Sequence, residues 1–293
     1  MYKDSSLLRR GFLFFLHRLS RVFYRRVSPL LSIHLEAGIL GRFFGPLIAP
    51  REAVYACDYG IRLKLSRTDA LALGIAYMGM ASPLETALLF RYLHPKDTFI
   101  EIGTYKDGWL GLVASGIVGP GGRVVCFEPV PEYCAAFAEN VRLSNRHNIT
   151  LEQLAVSREA GEALLSVGGM SSAFSREKGE EDILVKTVTL DGYLSASGAQ
   201  KVDFLVIDAE GAEPLILSGA QKTLGAVSYL LLEVINEFLL RQGTTAQQLI
   251  ESLQSQGFYP YILVKKGLRP WQAGLRSHTR NMFFSRKKLS API

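Results

Sequence analysis

The sequence predicts an α/β protein built on a Rossmann-like, doubly wound sheet that is mostly parallel, with an antiparallel edge pair and an N-terminal helical extension. Three observations carry this reading. From residue 98 onward, short apolar runs of strand length alternate with helical stretches, as in a parallel sheet covered on both faces. Several of these runs end in an acidic residue or a glycine, and the carboxyl ends of parallel strands are where open α/β sheets place their ligands. The last two runs have no helix between them, which suits antiparallel neighbours. The chain has 293 residues, 48% of them hydrophobic, enough to bury a sizeable core and too apolar for a disordered chain.

Residues 1–50 form the extension. Leu8, Phe12, Phe15, Leu16, Leu19, Phe23 and Val27 recur at helical spacing, with Arg10, Arg18, Arg21 and Arg25 largely between them. The spacing predicts a basic amphipathic helix over 5–27 that ends near Ser28-Pro29. Its apolar run is too short to span a bilayer or to act as a secretory signal. Three readings stay open: peripheral contact with a membrane surface, packing on the main domain or on a partner subunit of a homo-oligomer, or an Arg-rich targeting peptide. Gly38, Gly41, Gly45, Pro46 and Pro50 mark the boundary with a main domain over 51–293.

Residues 54–57 and 61–65 flank Asp58-Tyr59-Gly60 and read as a β-hairpin. A helix is expected over 82–93, with Ser82 as cap and Pro83 at its first position. Strands follow at 98–102, 123–127, 149–156, 163–167, 202–207, 228–233, 258–264 and 282–284. Helices are expected at 108–116, 132–143, 213–220 and 245–256.

Charge is unevenly spread. Residues 1–50 carry a net +6 and residues 264–293 a net +8, leaving the body between them at −8. An acidic body argues against a nucleic-acid binder, and the basic ends suit an anionic surface. Cys57, Cys126 and Cys134 are too few and too odd in number for a disulfide framework, which fits a reducing, cytoplasmic compartment, peripheral to the membrane if the helix is interfacial. No metal-ligand spacing is visible, and no internal repeat.

The chemistry-bearing residues cluster at strand ends. The first parallel strand runs into Glu101-Ile102-Gly103-Thr104-Tyr105-Lys106-Asp107-Gly108, an acid followed by a glycine turn and a helix, the geometry of a nucleotide site. Glycine there permits close approach of a ligand. The second strand ends in Phe127-Glu128-Pro129, with Glu128 placed 25 residues after Gly103. A carboxylate at that point suits a ribose diol, since it accepts two hydroxyl protons. No G-x-G-x-x-G is present, so the ligand tilts from a dinucleotide toward an adenosyl compound without phosphates. The fourth strand ends in Asp208-Ala209-Glu210-Gly211-Ala212-Glu213, and the fifth in Glu233. Glu213 reads as an acid in the first turn of a helix, where it complements the dipole. Asp208 and Glu210 precede that turn and are placed to face the cleft. His94 reads as a surface residue, and His278 as a residue of the loop before the last strand.

Taken together, these stretches resemble the FkbM family of methyltransferases. That family carries an Asp-x-Gly-Ala-Asn-x-Gly-like first motif, a Phe-Glu-Pro second motif and a late Asp-x-Glu-Gly-x-Glu motif. Here they read Glu101–Asp107, Phe127-Glu128-Pro129 and Asp208–Glu213, with Glu101 in place of Asp, Tyr105 in place of Asn and Asp107 in place of the second Gly. Thr189-Leu190-Asp191 and Ser218-Gly219-Ala220 also look like the family, and the resemblance spans roughly residues 51–286. It implies a class I methyltransferase sheet and methyl transfer from S-adenosylmethionine to an oxygen, commonly a hydroxyl of a sugar or other small metabolite. It implies cofactor contacts from Glu101, Gly103, Thr104, Tyr105, Asp107, Gly108, Glu128, Pro129 and Ala155, the last near the adenine. Asp208, Glu210 or Glu233 would act as base or orient the acceptor. The alternative from a different class is a degenerate, non-catalytic scaffold of the same fold at a membrane surface or on a partner, suggested by the altered first motif and the basic helix. A nucleic-acid methyltransferase is a third reading, and no Asn/Asp-Pro-Pro-Tyr-like motif supports it.

Overall fold

The structure, a computed structural model, describes residues 52–66, 75, 79–167, 181–198, 201–264, 267–274 and 280–289. The expected amphipathic helix over 5–27, the Gly/Pro boundary up to residue 50 and His278 lie outside the described residues. Among the described residues no helix is long and apolar enough to cross a membrane.

The chain divides into two units, 1–83 with 142–145, and 84–141 with 146–293. In the first, β1 (Glu52–Ala56) and β2 (Arg62–Ser66) pair antiparallel, Ala56 opposite Arg62. The tight turn Asp58–Gly60 between them places Tyr59 and Gly60 at positive φ, so the hairpin read from Asp-Tyr-Gly is present. Arg62 N–H donates to Ser144 Oγ, and the same hydroxyl donates back to Arg62 O.

The second unit holds an eight-stranded sheet. Its elements in chain order are α1 (Pro83–Tyr92), β3 (Thr98–Ile102), α2 (Trp109–Val118), β4 (Arg123–Phe127), α3 (Pro131–Leu143) and β5 (Ile149–Glu152). A three-stranded sheet interrupts the series: β6 (Ala155–Val156), β7 (Gly161–Val167) and β8 (Glu181–Val188), in the order β6-β8-β7. The series resumes with α4 (Leu190–Ser197), β9 (Val202–Ile207), α5 (Glu213–Ser218), α6 (Gln221–Ala226), β10 (Val227–Glu233), α7 (Asn236–Arg241), α8 (Ala246–Ser255), β11 (Tyr259–Val264), β12 (Gly267–Pro270) and β13 (Asn281–Ser285).

The sheet order is β12-β11-β13-β10-β9-β3-β4-β5. β5, β4, β3, β9 and β10 are parallel neighbours, while β13 runs antiparallel between β10 and β11, and β12 folds back on β11. The antiparallel end of the sheet is thus broader than the expected edge pair of two strands. The chain order reverses between β3 and β9, which makes their carboxyl ends the topological switch point where such sheets open a crevice.

The strands are buried on both faces because each alternates between two apolar layers. Phe99, Phe204, Tyr229 and Phe283 lie in ring contact with their neighbours across one face, and Tyr92 of α1 stacks on Phe283 at 5.0 Å. Ile100, Ile102, Val125, Phe127, Leu205, Ile207, Leu230 and Leu232 belong to the other layer, closed by Leu194, Ile216, Leu224, Leu249, Ile250 and Leu253 from α4, α5, α6 and α8. α8 forms because Leu249, Ile250 and Leu253 share one face and because Thr245 and Gln248 make a reciprocal capping box at its start.

Two of the family-like stretches are structural. Thr189 caps α4 by accepting Gly192 N–H, and Asp191 accepts the N–H groups of Lys222 and Thr223 at the start of α6. Those bonds hold the Asp191 carboxyl below its ordinary range against the opposing effect of burial. Gly219 passes so close to Ser157 O that a Cβ would lie 2.1 Å from it.

Candidate active site

Four strand ends build the site. Gly103 follows β3, Glu128 follows β4, Asp208 follows β9, and Glu233 is the last residue of β10. Asp208 N–H donates to Ile102 O at 2.9 Å and Gly103 N–H to Phe127 O at 3.0 Å, so the parallel ladder is tied right up to the crevice.

Glu128 is 4% exposed and its carboxylate is already oriented: Oε2 accepts Tyr105 N–H at 2.9 Å and Oε1 accepts Val130 N–H at 3.0 Å. Burial pushes its pKa up to about 7, with the N–H groups of Val130, Tyr105 and Thr104 pulling the other way. A carboxylate has about four acceptor positions, so two well-made bonds leave capacity for ligand hydroxyls. Beside it lies a concavity of about 470 Å³ lined by Pro129, Pro131, Glu152, Leu154, Ile183 and Val185 among others. Its walls are prolines and aliphatic side chains at the ends of β4 and β5, with polar rims. It lies on the Glu128 side of the crevice; the acids of β9 and β10 do not line it. Ala155 is buried in β6, paired with Thr187, and contributes through its neighbour Leu154 rather than as a lining residue itself.

The loop 103–108 is shaped in part by the protein's own packing. Gly103 (φ +86) and Gly108 (φ +59) are required by protein packing: a Cβ would lie 1.8 Å from Asp208 O at the first and 2.0 Å from the Phe137 ring at the second. Asp107, read as a cofactor contact, accepts Trp109 N–H through Oδ1 at 2.9 Å, next to the start of α2. Glu101 too makes contacts within the protein. It sits one residue short of the strand end, on the Phe99 face, where its carboxyl meets Gly111 N–H and the Cys126 thiol. Burial, reinforced by Asp107 and Asp208, holds it well above the ordinary carboxylate range. Thr104 is buried and offers its N–H toward Glu128. The ring of Tyr105 packs edge-on against Tyr133 at 4.8 Å, and Lys106 Nζ lies over the Tyr133 ring at 4.7 Å.

The acids of β9 and β10 converge as the sequence suggests. One carboxylate oxygen each from Asp208, Glu210 and Glu233 lies within 4.8 Å of the others. Glu233 is 3% exposed, and neither its Oε2 nor Glu210 Oε2 has a hydrogen-bond partner. Burial, together with Asp208 and Glu210, pushes Glu233 up to about 10. Burial, then Glu210, Glu213 and Glu85, pushes Asp208 up to about 7, and Arg280 opposes both shifts. Glu210 is raised by burial. Its backbone is left-handed (φ +48), a conformation that non-glycine residues adopt only where the surroundings enforce it. Glu213 stands apart from these three: its Oε1 accepts Ala209 N–H and Gly211 N–H and so fixes the turn that presents Glu210.

Three groups escaped the sequence reading. Glu85, in the first turn of α1, acts on Asp208 electrostatically and accepts Asn281 Nδ2 at 3.2 Å. Arg280 supplies the local positive charge. β8 lines the concavity, although no strand was expected there. His94, expected at the surface, is there, beside Asp97.

No curated protein matches the chain. Among solved structures it is similar to an SAM-dependent O-methyltransferase from Thermotoga maritima, at 17% identity over 72% of this chain and 68% of that one, with a TM-score of 0.40. It is also similar to the methyltransferase FkbM from Methylobacillus flagellatus KT, at 14% identity over 79% of this chain and 56% of that one, with a TM-score of 0.43. A third is an O-methyltransferase from Bacillus cereus in complex with SAH, at 13% identity over 70% and 80%, with a TM-score of 0.42. At such values the likeness is loose. The family model is decisive by contrast: the methyltransferase FkbM domain matches residues 101–260, from the first strand-end acid through the late acidic motif to β11, more than half of the chain. The chain belongs to the FkbM-domain methyltransferases.

Proposed function

We propose that the protein is an S-adenosylmethionine-dependent methyltransferase acting on a hydroxyl oxygen of a small acceptor. The observation that carries this is the pairing of two unlike carboxylate sites on one row of strand ends. Glu128 is oriented by backbone N–H groups beside an apolar concavity, and Asp208, Glu210 and Glu233 converge across the switch point.

The residues fit the cofactor's chemistry. Glu128 keeps acceptor capacity for a ribose diol, and Leu154, Pro129 and Ile183 offer apolar walls for an adenine ring. When bound, S-adenosylmethionine supplies the methyl group: the acceptor oxygen bonds to the methyl carbon while the S–C bond breaks and its electron pair stays on sulfur. The protein's part is to hold the acceptor in line and to take its proton. Asp208, held near pH 7 by burial and by its acidic neighbours, is the group best poised to receive that proton at Oδ1 or Oδ2. The turn 209–211, fixed by Glu213, sets the position of Glu210 beside it.

Calorimetric titration of the full chain with S-adenosylhomocysteine tests the reading. Micromolar binding is expected. A folded protein that binds none overturns it and leaves the non-catalytic scaffold.

A further inference from the structure

Three features of the β9–β10 acids are unusual for carboxylates that merely take a proton. They are three and mutually close, one oxygen each of Glu210 and Glu233 is left without a partner, and the polar groups around them are engaged elsewhere. The neighbouring Glu213 and Glu85 are themselves acceptors, of N–H groups of the turn and of Asn281 Nδ2, and Glu210 Oε2 and Glu233 Oε2 receive no hydrogen bond. Arg280 is exposed and forms no ion pair within 4 Å of these acids among the described residues. A buried carboxylate oxygen without a donor costs free energy unless something binds it.

We propose that Asp208, Glu210 and Glu233 form a site for one divalent, oxygen-preferring cation of the Mg²⁺/Mn²⁺/Ca²⁺ class. The spacing suits such an ion. Oxygens around a cation at about 2.0–2.6 Å are about 3–3.7 Å apart in adjacent positions and about 4–5 Å apart in opposite ones, and the three oxygens here lie within 4.8 Å. The donor set contains no sulfur or imidazole, which selects hard cations over zinc or copper. Glu233 supports the assignment independently of the cluster, being 97% buried with Oε2 unpartnered at the end of a central strand. Three carboxylate oxygens leave about half of a six-fold shell for water or for oxygens of the acceptor. Only that last role rests on the methyl-transfer reading: a coordinated hydroxyl loses its proton more readily, and a carboxylate oxygen that does not ligate the ion can receive it. The sequence shows no metal spacing because the ligands come from two strands, with Asp208 and Glu233 far apart in the chain and side by side only in the sheet.

The test is titration of the full chain with Mn²⁺, followed by the loss of the free-ion electron paramagnetic resonance signal, at pH 8 without cofactor. One Mn²⁺ per chain is expected, competed by Mg²⁺, with a rise in melting temperature. Asp208→Asn and Glu233→Gln, which keep shape and remove charge, should each weaken Mn²⁺ binding at least tenfold, whereas Glu237→Gln, an exposed acid of α7, leaves it unchanged. No bound Mn²⁺ at millimolar concentration in the folded wild type overturns the proposal, and so does undiminished binding in both variants. Titration with S-adenosylhomocysteine in the presence of a chelator separates the two readings. Cofactor binding without Mn²⁺ binding removes the cation site alone, and the reverse removes the methyltransferase reading alone.

Discussion

Replacing Glu128 by Gln should weaken S-adenosylhomocysteine binding about 30-fold at pH 8. Hydrogen bonds to a charged acceptor contribute about 1 kcal/mol more than neutral ones. Two ribose hydroxyls on one carboxylate therefore lose about 2 kcal/mol when its charge is removed, and about 1.4 kcal/mol is a factor of ten. Gln brings a second penalty, because the carboxylate now accepts N–H groups at both oxygens and an amide NH₂ must face one of them, Tyr105 or Val130. Glu128→Ala is a poorer probe, since it leaves both N–H groups without their acceptor. The wild type carries an internal control in its pH dependence. The folded free carboxyl titrates at about 7. Ligand hydroxyls favour its ionised form, so binding tightens as pH rises through that value. Between pH 6 and pH 8 the dissociation constant should fall about tenfold. At pH 6 most binding events should release a proton, read as a dependence of the calorimetric heat on buffer ionisation enthalpy. Glu128→Gln should abolish that dependence. A wild-type affinity constant within twofold from pH 6 to 8, with Gln binding as tightly, would refute the ribose assignment.

Gly103→Ala combines a left-handed backbone with a Cβ 1.8 Å from Asp208 O, and should lower the melting temperature by about 6–12 °C for about 3 kcal/mol of strain and displacement; an unchanged melting curve would show that the β3 and β9 ends are not so tightly tied. Asp191→Ala should cost about 1–2 kcal/mol at neutral pH through the lost cap of α6. Because the folded Asp191 carboxyl lies below its ordinary value, the wild-type advantage is present at pH 7 and shrinks as pH falls below about 4; chemical denaturation at pH 7 and pH 3 measures both. The basic segment 5–27 is proposed to lie on an anionic bilayer. Removing residues 1–28 should reduce cosedimentation with phosphatidylserine vesicles at least tenfold at low salt, and equal cosedimentation places any membrane contact elsewhere.

What could be read from the sequence is what depends on local pattern. β3, β4 and β9 fall where their apolar runs predict, because strands buried on both faces are dominated by apolar residues, with Glu101 and Asp203 as isolated exceptions. β8, α4, α6, α7 and β12 were not expected. Glu181–Val188 has no strict apolar/polar alternation and forms as the antiparallel partner of β7, and α6 is stabilised from a distance by Asp191, which no local signal in residues 221–226 announces. The expected strand 149–156 is in fact two, β5 in the large sheet and β6 in the small one. In the site, position at or just after a strand end is the readable signal for Glu128, Asp208 and Glu233. No local signal announces the contacts of the other two acids: the Glu101 carboxyl meets the Cys126 thiol, and Asp107 accepts Trp109 N–H. Both acids belong to the motif by sequence and to the protein's own packing by geometry.

The two carboxylate sites differ in how completely the protein itself satisfies them. At Glu128 the backbone turns two N–H groups onto the carboxylate, so the loop 103–108 and the end of β4 hold the site in shape whether or not a ligand is present. At Asp208, Glu210 and Glu233 the backbone instead exposes the problem. Glu213 spends its hydrogen bonds on holding the turn, Glu210 is kept in a left-handed conformation, and two buried oxygens are left without donors. A fold whose local preferences otherwise agree with its architecture tolerates such conflict at functional positions. The same sheet therefore offers a preorganised cradle on one side of the switch point and, on the other, a set of acids whose arrangement is complete only with something positively charged or proton-bearing between them. In the proposed methyl transfer that would be a division of labour: Glu128 would fix the donor in advance, and the acids would be completed by the acceptor and the proposed cation.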